Sequence, residues 1–389
     1  MGAMAEQVYG FFMPSTSLLG NGAVKEIGNQ AKVLGGTKAL IVTDIGLVKL
    51  GMVDKVKGYL EAAGIQVAVF DGVEPNPTDI NVRDCLKVWQ ENNCDLLITF
   101  GGGSSHDCGK GMGIMATSGG DIRDWAGIDT LASALPPYIS INTTAGTASE
   151  MTRFAVVTNT DTHVKMIYAD ARLTADVAIN DPSLMVGLPP SLTAATGMDA
   201  LTHAVEAYVT TLMSNPITDA CAIQAITLIG KWLRKAVANG ADMEARDAMA
   251  YAEYLAGMAF NSAGLGIVHS MAHQPGSLLG KPHGVCNAIC LPVVCEFNLM
   301  ANAEKYAHVA QLLGEDISGL NTMDAAEKAL TAIRRLSKDV GIPSGLAEIG
   351  VTEKDIPFMA ENALKDVCTL FNPRTVKLDD LVNLYKKAL

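Results

Sequence analysis

Asp199, His203, His269 and His283 are side chains of metal-ligating type that recur at suggestive spacing in the second half of the chain. Asp199 and His203 lie four apart in Thr196-Gly197-Met198-Asp199-Ala200-Leu201-Thr202-His203, which places both on one helix face, one turn apart. His269 and His273 repeat that spacing in His269-Ser270-Met271-Ala272-His273, and His283 follows in Pro282-His283-Gly284. The chain has only 7 His, and four of them fall between residues 203 and 283. A single His on an apolar helix is ordinarily a satisfied core residue. One carboxylate with three imidazoles is a compact, mostly neutral site for a divalent transition metal. Nitrogen and oxygen donors without thiolate suit Fe²⁺, Zn²⁺, Mn²⁺ or Ni²⁺ and do not choose between them. His273, one turn beyond His269, shares its face and could relay a proton; orienting a ligand is its other reading.

A second group of residues reads as a nucleotide site. The apolar run Asp95–Phe100 passes directly into Gly101-Gly102-Gly103-Ser104-Ser105-His106-Asp107. Glycines between a strand and a helix let backbone N–H groups approach a phosphate, and the helix dipole favours the anion. The run Lys38–Thr43 ends on Asp44, where an acid can accept from a ribose diol and repel a 2′-phosphate, favouring NAD over NADP. The runs at 66–70 and 138–142 are followed by Pro75-Asn76-Pro77-Thr78 and by Thr143-Thr144-Ala145-Gly146-Thr147. All four loops would lie at the carboxyl ends of parallel strands, where open α/β sheets bind ligands.

The elements that position these groups divide in two. Up to about residue 187, strand-like runs at 38–43, 66–70, 95–100 and 138–142 alternate with helical segments such as 51–64 and 79–93, which implies a parallel sheet covered by helices. From Leu188-Pro189-Pro190 onward helical periodicity dominates. Asn215 caps and Pro216 starts one helix, whose Ile223, Ile226, Ile229 and Leu233 recur at spacings of three and four. Segments 243–262, 283–299, 301–313 and 323–340 read the same way. The expected division is therefore 1–187, an α/β dinucleotide-binding domain, and 188–389, an all-α domain holding metal and substrate; 389 residues exceed one ordinary core.

Composition narrows the function. A net charge of -12 without a basic stripe argues against a nucleic-acid surface. No apolar run of the ~18 residues needed to span a bilayer is evident, and no charged-then-apolar leader opens the chain, so neither membrane nor export is expected. Met1-Gly2-Ala3 before Met4 reads as an expression remnant. The 8 Cys show no C-x-x-C pair or disulfide framework, which fits the cytoplasm; Cys286, Cys290 and Cys295 read as buried small hydrophobes. Hydrophobic content of 49% points to a homo-oligomer.

Taken together these stretches resemble the group III, iron-activated alcohol dehydrogenases. The resemblance runs from Phe11-Phe12-Met13-Pro14 to Asn372-Pro373-Arg374 and is carried by GGGSSHD at 101–107, TTAGTASEMT at 143–152, TGMDALTHAVEAY at 196–208, VHSMAHQ at 268–274 and PHGVCNA at 282–288. It implies a Rossmann-like N-terminal domain followed by an all-α C-terminal one. It also implies Fe²⁺ held by Asp199, His203, His269 and His283, and NAD(H) lined by Asn76, Gly102, Gly103, Ser104, Asp107, Thr143, Thr144, Thr147 and Lys165. Asp44 matches the family's cofactor-selecting acid, and His273 its non-ligand His near the metal. Phe260 and Cys368 match positions bordering the substrate pocket, and Phe154 stands where some relatives are polar. The stretch His273-Gln274-Pro275-Gly276-Ser277-Leu278-Leu279-Gly280-Lys281 departs from the family's usual H-Q-L-G-G-[FL]-Y, with Lys281 two residues from a ligand.

The expected activity is hydride transfer between NAD(H) and a short-chain primary alcohol or its aldehyde. A small anionic aldehyde such as sulfoacetaldehyde, held by Lys281, is the alternative. A lyase resembling dehydroquinate synthase would need a dense Lys/Arg cluster, whereas around the ligands only Arg153, Lys165 and Lys281 are expected. A non-catalytic sensor of metal or NAD is the third reading, disfavoured by the intact ligand set and cofactor loops.

Overall fold

The computed structural model describes residues 8–162 and 164–389, so the Met1-Gly2-Ala3 reading lies outside the described residues. The described residues form two compact units: Phe12–Thr144 with Ala148–Met185, and Val186–Leu389 with Ala145–Thr147 and residues 8–11.

The α/β unit carries β1 (Thr16–Leu19), β2 (Lys38–Val42), β3 (Gln66–Phe70), β4 (Leu96–Gly101), β5 (Gly127–Ile128), β6 (Tyr138–Asn142), β7 (Phe154–Thr158), β8 (Lys165–Ala169) and β9 (Val177–Asn180). Its helices are α1 (Ile27–Val33), α2 (Ile45–Lys49), α3 (Met52–Ala62), α4 (Asp79–Asn92) and α5 (Gly103–Ser118). Six strands pair in parallel in the order β1-β9-β6-β4-β2-β3. The expected strands at 38–43, 66–70, 95–100 and 138–142 are present as β2, β3, β4 and β6. Leu40, Ile41, Leu97 and Ile98 are fully buried, as strands covered on both faces must be. The connection from β2 to β3 runs through α3, and the connection from β3 back past β2 to β4 runs through α4. Opposite directions of travel with one handedness put the helices on opposite faces. Val53, Val56 and Leu60 accordingly join one core cluster with Ile41 and Ile98, and Val82 and Cys85 join another with Leu40 and Leu97. The order reverses between β2 and β4, making a switch point there. A separate three-stranded sheet, β5-β8-β7, contains an antiparallel β7–β8 pair that the sequence reading did not anticipate.

The helical unit contains α6 (Pro190–Val209), α7 (Pro216–Ala238), α8 (Met243–Ala263), α9 (Ile267–Leu279), α10 (His283–Asn298), α11 (Ala303–Leu312), α12 (Thr322–Asp339), α13 (Ile356–Lys365) and α14 (Leu378–Ala388). Asn215 caps α7 as expected, its side chain accepting from Ile217 N and Thr218 N ahead of Pro216. From Gly197 to Val209 every residue of α6 is buried, so this helix is the core of the unit and not a surface element. The expectation of no long apolar run needs correcting: His283–Ala301 is long and apolar enough to cross a membrane by length and composition. More than half of it is buried inside the protein, and its apolarity is that of a helix packed on several neighbours.

Helices α6 and α10 approach closely at Gly284. A Cβ there would stand 2.4 Å from the Ala195 carbonyl oxygen and 3.3 Å from Asp199 Cβ. A Gly284→Ala substitution should therefore push α10 off α6 and destabilise the protein by about 1–3 kcal/mol, the usual cost of overpacking. Chemical denaturation checks this; a variant as stable as the parent would show that the backbones can part without cost.

Candidate metal centre and cofactor loops

Asp199 and His203 project from successive turns of α6, His269 comes from the first turn of α9, and His283 opens α10. Their donor atoms all lie within 4.8 Å of one another. Asp199 Oδ1 is 3.7 Å from His283 Nε2. Donors about 2.0–2.2 Å from one ion stand about 3.3–3.6 Å apart when tetrahedral, so the set is close to the spacing a single divalent ion requires. One carboxylate among neutral imidazoles also suits it chemically. Asp199, His203 and His269 are buried, while the His283 side chain keeps 26% of its exposure and marks the open side of the group.

The imidazoles are oriented by their other nitrogens. His269 Nδ1 pairs with Glu206 Oε2 at 2.5 Å, which turns Nε2 toward the other donors. Glu206 is itself held by the backbone N–H of Val268, which donates to Oε1 at 2.7 Å. Burial pushes the Glu206 carboxyl up to about 8 despite those backbone bonds. His203 Nδ1 lies 3.2 Å from the Gly146 carbonyl oxygen, and its ring stacks on Phe260 with centroids 4.3 Å apart. Burial lowers the His203 pKa to about 4, which favours the neutral, ligating form. Asn287, one turn after His283, directs its amide nitrogen at Asp199 Oδ1, His269 Nε2 and His283 Nε2.

His273 joins the group without being one of the converging donors. Its ring stacks on His283 with centroids 5.4 Å apart, and its Nδ1 pairs with Asp366 Oδ2 at 2.7 Å. Burial alone would raise the Asp366 carboxyl, but the charge and hydrogen bond of His273 outweigh it and hold Asp366 down to about 2. Cys368 N donates to Asp366 Oδ1 at 2.9 Å, which brings Cys368 next to the pair.

The loops of the α/β unit assemble on the carboxyl side of its switch point. Gly102 is the N-cap of α5, with no side chain occupying the cap, so the first N–H groups of a 16-residue helix remain available to an anion. A Cβ on Gly102 would stand 3.2 Å from the Thr144 side chain, and Thr143 N donates to Gly101 O at 3.0 Å, so the two expected phosphate loops are neighbours. Asp107 accepts from Ser149 Oγ at 2.8 Å; burial raises its carboxyl to about 6 against the opposing pull of Lys110 and Lys165. Asn76 holds a positive φ of 55° in its loop. Asp44 is also the N-cap of α2: Oδ1 accepts from Gly46 N and Leu47 N. The ribose-acceptor role expected of it would share the carboxylate with this cap, which uses Oδ1 alone.

Several residues that sequence reasoning passed over are central. Glu206 lies three after His203 and seven after Asp199, on the same face of α6, a spacing that could have found it. Asn287 lies four after His283. Lys110, three after Asp107, is fully buried, and its ammonium donates to the carbonyls of Ser149, Thr152 and Phe154 at 2.6, 2.8 and 2.7 Å. Two further expected pocket residues have side-chain neighbours of their own. Phe154 belongs to β7, its ring 5.4 Å from Arg153 Cζ. Lys281 extends to Gly350, its Nζ 3.5 Å from where a Cβ would stand.

Both halves of the chain are similar to known proteins. Residues 14–182 match the family model described as iron-containing alcohol dehydrogenase, and residues 193–389 the C-terminal model of the Fe-containing alcohol dehydrogenase family. The chain belongs to the iron-containing alcohol dehydrogenase family. It is 55% identical to a 1,3-propanediol dehydrogenase of Klebsiella pneumoniae over 99% of this chain and 100% of the relative. It is 50% identical to an NAD-dependent methanol dehydrogenase of Bacillus methanolicus, over 97% of this chain and 99% of that one. Among solved structures, a 1,3-propanediol oxidoreductase superposes with a TM-score of 0.97 at 55% identity, covering 98% of this chain and 100% of its own. This iron-family member is thus an oxidoreductase, a metal-dependent alcohol dehydrogenase and aldehyde reductase that uses NAD(H).

The Glu206–His269 pair gives this dehydrogenase a testable dependence. Glu206→Gln should keep the fold but weaken metal retention by about 10–100-fold, the usual effect of losing a carboxylate that orients a ligating His. Dialysis against a chelator followed by elemental analysis reads this directly. Retention equal to the parent's would remove Glu206 from the account.

Proposed function

We propose that Asp199, His203, His269 and His283 hold Fe²⁺ in this enzyme, and that its substrates are short-chain primary alcohols and their aldehydes. The convergence of the four donor atoms within 4.8 Å carries the reading. The substrate class is supported by the relatives' names, since 1,3-propanediol and methanol are both short primary alcohols. Gly102, Gly103, Ser104 and Thr144 form the phosphate cradle of NAD(H). Asn76, Asp107, Thr143, Thr147 and Lys165 line the remainder of that site, and Asp44 selects NAD over NADP. A neutral substrate is favoured because Lys281 extends to Gly350 and stands outside the hydrogen-bonded group around the donors. The domains are taken as 1–187 for the cofactor and 188–389 for metal and substrate. The enzyme is placed in the cytoplasm, where the eight free cysteines would stay reduced, and is taken to be a homo-oligomer.

Oxidation removes a hydride from the alcohol carbon and a proton from its hydroxyl. When bound, the metal supplies the Lewis acidity that polarises the C–O group, and NAD⁺ accepts the hydride. The chain's own residues do the rest. Glu206 fixes the His269 ring, and Phe260 stacks on His203 and bars its reorientation. His273, with Nδ1 committed to Asp366, offers Nε2 to the hydroxyl proton. Phe260 and Cys368 give the pocket apolar walls that favour a small substrate.

Two variants test the assignment. His283→Ala should lower turnover of propanal with NADH at least about a hundredfold while NADH binding, followed by fluorescence, stays near the parent value. Full activity in that variant would sink the ligand set. Asp44→Ser keeps a good helix cap and removes the charge, so kcat/KM with NADP relative to NAD should rise about tenfold or more. A parent enzyme that already prefers NADP would show that Asp44 does not select the cofactor.

A further inference from the structure

Asn76 and Lys165, both expected to line the cofactor site, stand on segments that meet at Thr158. Thr158 closes β7 and pairs with Lys165, which opens β8. Its N–H donates to the Pro77 carbonyl at 2.8 Å, and Thr78 and Thr158 form an isolated parallel bridge. The loop that contains Asn76 is thus tied to the hairpin that contains Lys165. Asn76 itself holds a φ of 55°, a left-handed backbone that surrounding contacts must hold in place.

Just beyond Thr158 the tip of the hairpin is fastened by charge. Asp79, in the first turn of α4, is fully buried. Its Oδ1 accepts from Thr160 N at 3.2 Å and its Oδ2 from Arg123 Nε at 2.7 Å. Arg123 also donates from Nη1 to Asp161 Oδ2 at 2.6 Å and from Nη2 to Thr160 Oγ1 at 3.4 Å. Arg83, one turn after Asp79, lies 3.1 Å from the same Asp79 oxygen and pairs with Asp121 at 2.7 and 3.0 Å. One buried carboxylate therefore joins the start of α4, the turn Ile122–Trp125 and the tip of the β7–β8 hairpin.

A short hairpin is marginal by itself and needs anchors. A carboxylate buried between two guanidinium groups adds little net stability, because desolvation offsets the attraction. It does fix geometry, since moving either partner away leaves a buried charge poorly compensated. We propose that Asp79 and Arg123 are positioning residues of the cofactor site: their ion pair locks the β7–β8 hairpin against the start of α4 and so presets Asn76 and Lys165 for NAD(H). The clamp lowers the ordering cost of binding, so it acts on affinity for NAD(H) and not on hydride transfer. This rests on the reading that Asn76 and Lys165 line the cofactor site.

The test uses the full-length, metal-loaded enzyme, with NADH binding followed by fluorescence and turnover measured on propanal. Arg123→Met should weaken NADH binding and raise KM for NADH about three- to tenfold, the ordering cost of one or two side chains, while kcat stays within about twofold of the parent's. Arg123→Lys, which keeps the charge, should recover part of the loss. Lys165→Met should itself weaken NADH binding. In that background Arg123→Met should cost no more than about half the factor it costs in the parent, since one of the residues it positions is gone. Parent-like NADH affinity in Arg123→Met, or an equal loss in both backgrounds, would overturn the proposal. Should Arg123→Met fail to fold by circular dichroism, Asp161→Lys decides: the Asp161 side chain is 71% exposed, and a positive charge there repels Arg123 and frees the hairpin tip. NADH affinity equal to the parent's in that variant would overturn the proposal. Parent-like NADH affinity in Lys165→Met would instead overturn the reading of Lys165 on which the proposal rests.

Discussion

The metal centre depends on keeping nitrogen and oxygen donors from three helices within reach of one ion. Converging lone pairs repel, and burying them costs free energy unless each ring is held by something else. The contact between Glu206 and His269 Nδ1 meets that demand. It joins α6 to α9 through a buried carboxylate, and the Val268 N–H donating to the same carboxylate ties the start of α9 to it. The close approach at Gly284 brings α10 against α6, next to the turn that carries Asp199. The order of donors along the chain therefore follows from helix packing: two on the core helix, one at each of two helix starts.

The α/β unit sets a different requirement, since its expected phosphate loops must offer backbone donors. Gly102 leaves the α5 cap open, and the adjacent Thr143–Thr144 turn is registered against it by the Thr143 N to Gly101 O bond. Behind these loops Lys110 occupies a fully buried position. Burial lowers its pKa to about 8 although Asp107 and Glu150 pull it upward. Three carbonyl oxygens surround its ammonium, fixing the turn between Ser149 and Phe154. A buried cation that organises a loop in this way stabilises one loop conformation over others at some cost in desolvation.

Much of this was legible in the sequence because it rests on local rules. The apolar runs of β2, β4 and β6 carry both-face burial in their composition, and Asn215-Pro216 announces the start of α7 by capping chemistry alone. The Asp199–His203 spacing is a property of one helix. What escaped depends on pairing at a distance. The edge strand β1 is short and half-exposed, and β7 and β8 form a hairpin beside the main sheet, so neither shows the long apolar run of a central strand. Asp366 meets His273 across 93 positions and Asn287 meets Asp199 across 88, separations at which no periodicity operates. The stretch His283–Ala301 is not an unbroken apolar run, since Pro292 and Glu296 stand within it, yet as one helix it is long and apolar enough to cross a membrane, and packing buries more than half of it. Asp44 shows the converse: a functional reading was available from its place at a strand end, and the structure adds a helix cap to the same carboxylate.

The central claim is that Asp199, His203, His269 and His283 form one iron site. Anomalous diffraction at the iron edge, from crystals of the protein loaded with Fe²⁺ under anaerobic conditions, tests it most directly. The account predicts one strong peak per chain, within bonding distance of Asp199 and of the Nε2 atoms of His269 and His283. A peak elsewhere in the chain, or none at full loading, would contradict it.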